Sequence, residues 1–301
     1  MISLIPYKTA FVVNPASGSG HALIIWKKVA ATLETAGQEY RVYYTQSRGD
    51  GNRLARQAAD DGSELIVGVG GDGTLREIVN GLNLKKNILG IIPAGTGNGF
   101  RRSCNIPWYW ATALKGLSQW SPRFVDIGEV NGTYFINTVG IGFDAAIEQQ
   151  ASGKYHNLKG YFPYIAAFFK ELVSFKSFHS TIKCNGVFYE ENNTLVIAVA
   201  NGSYYGGKMC IAPQASIDDS FLDVCLVKKG RPPETTLLAA QVLFKKHLHS
   251  RSVITEKTRR VIIEADYEIP VHIDGDVIGS LPININIKTA ALRLLAPPQK
   301  L

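Results

Sequence analysis

The stretch from Glu64 to Arg102, ELIVGVGGDGTLREIVNGLNLKKNILGIIPAGTGNGFRR, restricts this chain more tightly than any other. Leu65 to Val69 is a short apolar run of the kind made by a parallel strand buried on both faces. Gly70, Gly71 and Gly73 follow around Asp72, and glycine both tolerates positive φ and lets a ligand come close to the backbone. The spacing predicts a helix beginning near Leu75, with Thr74 as its cap and Glu77 in its first turn. Bare amide N–H groups at such a start suit a phosphate. A second strand, Ile88 to Ile92, runs into a second turn, Pro93-Ala94-Gly95-Thr96-Gly97-Asn98-Gly99. Consecutive parallel strands of a doubly wound sheet deliver their C-terminal loops to one crevice. Two glycine-rich loops in one crevice point to a nucleotide triphosphate.

Other readings of the stretch compete. Gly68-x-Gly70-x-x-Gly73 matches the dinucleotide fingerprint in form, but the acidic residue expected about 20 residues on is missing. Ile88 to Gly99 contains no carboxylate. Asp72 would also set a negative charge against a pyrophosphate, whereas a carboxylate suits a Mg²⁺ or a transferring phosphoryl group. The plainest alternative is a pair of ordinary tight turns.

Upstream, Ala10 to Val13 reads as a strand that ends in Asn14-Pro15-Ala16-Ser17-Gly18-Ser19-Gly20. This third glycine loop lacks the Gly-Lys-Ser/Thr of a P-loop. Helices over Leu23 to Thr35 and Arg53 to Ala59 flank a strand at Tyr40 to Tyr44, which gives the order βαβαβαβ of a doubly wound half. Thr45 ends that strand, as a crevice residue or as a plain strand-end threonine. Arg101 and Arg102 read as a solvated pair or as phosphate partners, and Tyr109 to Leu117 as a helix.

The pattern changes near Arg123. Asn131-Gly132 and Asn185-Gly186 are strong hairpin signals. They separate Phe124 to Val130 from Thr133 to Thr138, and Ser180 to Lys183 from Val187 to Tyr189. Further strands are predicted at Leu195 to Ala200, Leu222 to Val227, Arg260 to Ala265, Val271 to Ile273 and Ile283 to Lys288. Short strands with turn signals between them make a β-sandwich-like domain. Two helices interrupt it. Tyr161 to Phe175 is rich in aromatics and covers a sheet or contacts lipid. Glu234 to His249 ends in Lys245, Lys246, His247 and His249, followed by Arg251, Lys257, Arg259 and Arg260. Such a run binds acidic headgroups or forms a solvated basic face.

The chain has 301 residues, comfortable for two domains, and 46% hydrophobic with 19% charged residues excludes disorder. A formal net charge of +7 favours anionic partners. No basic-aromatic module accompanies it, so nucleic acid is not expected. The four cysteines form no C-x-x-C and the six histidines show no metal spacing, which points to buried reduced thiols in a cytoplasmic protein. The N-terminus lacks the pattern of a signal peptide and no apolar run approaches about 18 residues, so if a membrane matters the protein is expected to sit on it and not to cross it.

Gly70-Gly71-Asp72-Gly73-Thr74 followed by Pro93-x-Gly95-Thr96-Gly97-Asn98 resembles the diacylglycerol-kinase-type lipid kinases, which include bacterial enzymes and sphingosine kinases. The first motif alone is shared with NAD kinases. The opening Asn14-Pro15 segment resembles the family too, whereas Gly99 stands where the family has Asp. The resemblance implies ATP held by Thr45, Gly70, Gly71, Asp72, Gly73, Thr74, Gly95, Thr96, Gly97 and Asn98. It also implies Mg²⁺ on Asp219 and the backbone carbonyls of Ser216 and Phe221. Read alone, that acidic stretch (Asp218, Asp219, Asp223) is a polar turn or a hard-cation site, and Ser220 replaces the family's Gly.

Asp274-Gly275-Asp276 is first of all a hairpin turn. Under the resemblance it matches an Asp-Gly-Glu whose acids lie against the transferred phosphate, with Asp276 as base and Asp274 as its partner. His272 neighbours it, to orient the cluster or as a structural strand histidine. Residues 1–122, completed by 290–301, are the expected α/β ATP-binding domain, and 123–289 the β-domain that holds the lipid acceptor, with chemistry in the cleft between. The expected activity is ATP- and Mg²⁺-dependent phosphorylation of a diacylglycerol-like lipid, by an enzyme peripheral at the inner membrane surface and compatible with a homodimer. The alternatives are a NAD-kinase-like small-acceptor kinase and a catalytically weak lipid-binding or regulatory protein.

Overall fold

A computed structural model describes residues 4–151, 172, 175–204 and 210–298. Apart from Leu172 and Phe175, the expected aromatic helix at Tyr161 to Phe175 lies outside the described residues. The chain divides into two compact units.

The first unit comprises Met1–Ile127, Ile217–Ser220 and Lys288–Leu301. Its elements alternate: β1 (Thr9–Val13), α1 (His21–Thr35), β2 (Arg41–Tyr44), α2 (Asp50–Asp60), β3 (Leu65–Gly70), α3 (Asp72–Gly81), β4 (Ile88–Pro93), α4 (Gly99–Ser103) and α5 (Trp110–Leu117). The strands are parallel in the order β4-β3-β1-β2, with Thr9 opposite Leu65 and Leu65 opposite Ile88. Every residue of β1, β3 and β4 is buried, which is why they read as unbroken apolar runs and do not alternate. Near the C-terminus, Arg293 and Leu294 add in parallel beside Ile88 and Leu89.

Ile217–Ser220 joins this unit although the sequence reading assigns it to the second. The cause is Asp126, which is 2% exposed. Its N–H donates to the Ile217 carbonyl (2.6 Å), and its carboxylate accepts the N–H groups of Ser220 (2.7 Å) and Ala290 (2.7 Å). Arg123 adds a 2.9 Å ion pair with Asp218.

The second unit, Gly128–Ser216 and Phe221–Ile287, is a β-sandwich-like domain. It takes the end of β5 (Pro122–Val130), then β6 (Thr133–Phe135), β7 (Thr138–Gly142), α6 (Phe143–Ala151), β8 (Phe178–Cys184), β9 (Val187–Ala200) and β10 (Leu222–Lys228). There follow α7 (Pro232–Leu243), β11 (Val253–Thr258), β12 (Arg260–Ala265), β13 (Pro270–Ile273), β14 (Asp276–Ser280) and the start of β15 (Ile283–Leu295). The strand order is β14-β13-β7-β9-β8-β12-β15, with β10 on β9 and β11 on β10. Period-two alternation separates two cores. Ile197 and Val199 of β9 join Val224 and Leu226 of β10 in one core. Val196, Ala198, Ala200, Cys225 and Val227 face the other, with Phe143 and Ile147 of α6 and Leu238 of α7.

The three Asx-Gly pairs expected to form hairpins are tight turns with both residues left-handed: Asn131-Gly132 (φ 48° and 82°), Asn185-Gly186 (53° and 75°) and Asp274-Gly275 (49° and 89°). Elsewhere the elements depart from expectation. Thr133 to Thr138 splits into β6 and β7, because Ile136 and Asn137 give their N–H groups to Asp274. Val187 to Tyr189 and Leu195 to Ala200 are parts of one strand. The Glu234 to His249 helix stops at Leu243, since Lys245 turns left-handed (φ 59°), and a 3₁₀ turn, His247–His249, follows. His247 is buried, bonded through Nε2 to the Ile211 carbonyl (2.9 Å), and does not belong to the basic face.

Candidate active site

Three loops meet at the C-terminal ends of β1, β3 and β4. Asn14, at the end of β1, donates its N–H to the Val69 carbonyl (3.1 Å) and its side-chain amide to the Thr74 hydroxyl (3.0 Å). Ala94 N–H donates to the Gly70 carbonyl (2.9 Å). The backbones then close to a separation only glycine permits. A Cβ on Gly95 would lie 2.4 Å from the Gly71 Cα, one on Gly70 2.6 Å from the Thr74 Oγ1, and one on Gly18 2.6 Å from the Ala94 carbonyl oxygen. Asn98, left-handed at φ 51°, closes the second loop: its Oδ1 accepts the Gly95 N–H (3.0 Å) and its Nδ2 donates to the Gly95 carbonyl (2.6 Å). Gly97 is half-buried in this loop and Thr96 is exposed at its tip. Thr45 follows β2 and donates its N–H to the Val13 carbonyl (2.9 Å), which sets it beside the first loop.

Gly73 differs from its neighbours. It lies in the first turn of α3, and a Cβ built on it meets nothing within 4 Å. The protein's own packing leaves that space open.

Two local expectations are corrected. Helix α3 starts at Asp72 and not near Leu75, with Gly71 at its N-cap and no side-chain cap. Thr74 is therefore inside the helix, its hydroxyl taken by Asn14. Asp72, expected beside a metal or a phosphoryl group, turns its carboxylate to the start of α4, where it accepts the N–H groups of Gly99 (2.8 Å) and Phe100 (3.0 Å). Burial pushes the Asp72 carboxyl above its ordinary pKa, while those two amides and the charges of Arg101 and Arg102 pull it down. The residue ties one glycine loop to the other. Arg101 is also engaged, donating to the Ile106 carbonyl (2.8 Å).

In the segment that joins the first unit, Asp218 is paired with Arg123 and Asp219 is half-buried next to it. Ser220 holds φ 67°, the left-handed conformation that a glycine would adopt freely. Ser216 and Phe221 flank this turn in sequence. Among the described residues, no group of three or more His, Cys, Asp or Glu is placed to hold a metal.

In the second unit, Asp274 and Asp276 sit at the β13–β14 hairpin, where Ile273 pairs with Asp276. The tight turn makes them diverge. Asp274 accepts three backbone N–H groups, those of Ile136, Asn137 and Thr138, each at 2.9 Å. Asp276 opens β14 and is half-buried.

This architecture matches known proteins over nearly its whole length. Residues 8–130 match the model of the diacylglycerol kinase catalytic domain, and residues 137–296 that of the YegS C-terminal NAD kinase beta sandwich-like domain. A diacylglycerol kinase of Bacillus subtilis is 31% identical over 286 residues, 91% of each chain. The chain belongs to the diacylglycerol kinase catalytic-domain family. A diacylglycerol kinase of Staphylococcus carnosus is 28% identical over 93% of this chain and 92% of its own. The crystal structure of a diacylglycerol kinase from Bacillus anthracis superposes with a TM-score of 0.78 at 28% identity, over 97% of this chain and 98% of that one. Membership in this family makes the chain a kinase.

Sequence reasoning passed over two residues of this family member. Asp126 anchors the segment that carries Asp219, and its only local trace is an acid set between Val125 and Ile127. Asp144, buried in the first turn of α6, lies against His272. Its sequence trace is weaker still.

Proposed function

We infer that this family member is an ATP- and Mg²⁺-dependent lipid kinase that phosphorylates a hydroxyl of a diacylglycerol-like lipid. The observation that carries the ATP reading is the open space over Gly73, bordered by glycines that the protein's own packing requires. The N–H groups of the Gly70–Thr74 and Gly95–Asn98 loops would hold the phosphates, with Thr96 and Thr45 at their margin. Mg²⁺ suits Asp219 with the carbonyl oxygens of Ser216 and Phe221, since a hard cation takes oxygen donors and keeps several waters. Bound there, it would neutralise charge on the transferred group.

Phosphoryl transfer needs positioning, charge neutralisation and a base. The acceptor oxygen forms the new bond to the γ-phosphorus as the bond to the β–γ bridging oxygen breaks, and the hydroxyl proton passes to a carboxylate. Three amides hold the Asp274 oxygens and lower their basicity, and Asp276, which matches the family's final acid, is the base in this reading. Exposed Lys246, Arg251, Arg259 and Arg260, together with Phe244 at 73% exposure, favour an anionic membrane surface. The deciding experiment supplies ¹⁸O-γ-labelled ATP and a lipid extract and reads labelled phospholipid by mass spectrometry. Transfer to a diacylglycerol-like lipid supports the assignment, and transfer only to NAD refutes it. Asp276→Asn should lower kcat roughly 10²- to 10⁴-fold with ATP binding kept. A fully active variant would remove Asp276 as base.

A further inference from the structure

The hairpin that presents Asp276 is held from beneath by a buried histidine–carboxylate pair. His272 lies in β13, is 0% exposed, and pairs across the ladder with Gly140 of β7. Its Nδ1 accepts the N–H of Gly275 (3.3 Å), the central glycine of the turn. That contact fixes the tautomer: Nδ1 is bare and the proton sits on Nε2. Nε2 faces the Asp144 Oδ2 at 3.4 Å. Asp144 is 6% exposed, and its other oxygen accepts the Ala145 N–H (2.8 Å). The pair fills its site completely. A Cβ on Gly140 would lie 2.1 Å from the His272 Nε2 and 2.2 Å from the Asp144 Oδ2. A glycine in β7 is the condition for the ring and the carboxylate to meet.

A buried imidazole and carboxylate are costly to desolvate, and a well-packed apolar pair would stabilise a sandwich as well or better. What this pair adds is direction. The chain Asp144–His272–Gly275 restrains the turn from one side, while Asp274 restrains it from the other through the amides of residues 136–138. A side chain displaced by about 1 Å from a productive geometry loses as much as 10²-fold in rate.

We propose that His272, oriented by Asp144, is a positioning residue that sets the Asp274–Asp276 turn so that the Asp276 carboxylate meets the acceptor hydroxyl. The proposal rests on the kinase reading above. It predicts an asymmetry between two isosteric replacements. His272→Asn keeps an acceptor near the Nδ1 position. His272→Gln keeps a donor near Nε2 but loses the acceptor for Gly275.

The test measures steady-state kinetics of both variants with ³²P-ATP and dioleoylglycerol in mixed micelles, beside Asp276→Asn, and the melting temperature of each. His272→Gln should lose kcat roughly 10- to 100-fold, as orienting partners do, with the KM for ATP unchanged. His272→Asn, which keeps the acceptor for Gly275, should lose distinctly less kcat than His272→Gln. Equal kcat in both variants, or losses that track melting temperature alone, would overturn the proposal. A fully active Asp276→Asn would instead refute the kinase reading of that acid. A measurement on the unmodified protein guards against variants that fail to fold. Amide exchange at Gly275 should be slow despite its place in a turn, and exchange at the free-peptide rate would refute the restraint.

Discussion

Replacing Gly73 with alanine separates the needs of the fold from those of the ligand. The new methyl would meet no protein atom within 4 Å, and the backbone there is helical, so no clash or strain opposes it. Alanine is a better helix former than glycine by about 0.8–1.0 kcal/mol in a helix interior, and somewhat less in a first turn. Gly73→Ala should therefore leave the melting temperature unchanged or raise it by a degree or two. Nucleotide binding should respond in the opposite sense. If the ATP phosphates lie over this turn, the methyl holds them off the amides, and a hydrogen bond to a charged group contributes about 1.5–3 kcal/mol. The ATP dissociation constant should then rise roughly 10- to 150-fold. Isothermal calorimetry gives the affinity and scanning calorimetry the stability. Unchanged ATP affinity would show that no phosphate approaches Gly73. A lowered melting temperature would show that the space is not open.

Three further expectations concern the turn at Asp219 and Ser220 and the surface. Ser220→Gly relieves a left-handed serine, a cost of order 1 kcal/mol, while loosening the unfolded chain; a melting temperature unchanged or up by a few degrees is expected, and a fall would mean that the serine side chain contributes to the turn. Asp219→Ala should lower activity in a way that excess Mg²⁺ partly restores, and Mn²⁺-soaked crystals should carry an anomalous peak beside Asp219, whose absence would displace the metal from this loop. Binding to phosphatidylglycerol vesicles should weaken as salt rises, because exposed charges are screened over about 10 Å at 0.1 M; equal binding to neutral vesicles would contradict a basic membrane face.

The parts of the fold written in the sequence are those with local causes. Unbroken apolar runs mark β1, β3 and β4 because those strands are buried on both faces. Three Asx-Gly pairs mark three hairpins because both turn residues must be left-handed. The glycine loops were legible for the same reason, through backbone conformation and close approach. What the sequence hid depends on partners far along the chain. Nothing near Asp72 indicates that its carboxylate will meet amides at residues 99 and 100, and nothing near Asp274 indicates amides at 136 to 138. A carboxylate that caps a distant loop looks the same, as a letter, as one that awaits a metal. The three amides that hold Asp274 became visible only with the fold. Ser220 is a further case: its letter does not show the left-handed backbone that it adopts.

Asp126 carries a consequence for how this molecule is made. Its carboxylate is satisfied by Ser220 and Ala290, residues synthesised long after it, and the sheet edge beside Ile88 waits for Arg293 and Leu294. A ribosome that has emitted the glycine loops has not yet supplied the groups that let their unit close. Domains usually fold in the order of synthesis, but here the first unit begun is among the last finished. Truncation a dozen residues before the end would leave a buried acid without one of its donors, far from the cut. Residues 290 to 294 thus tie the closing of the part that was started first to a segment made much later.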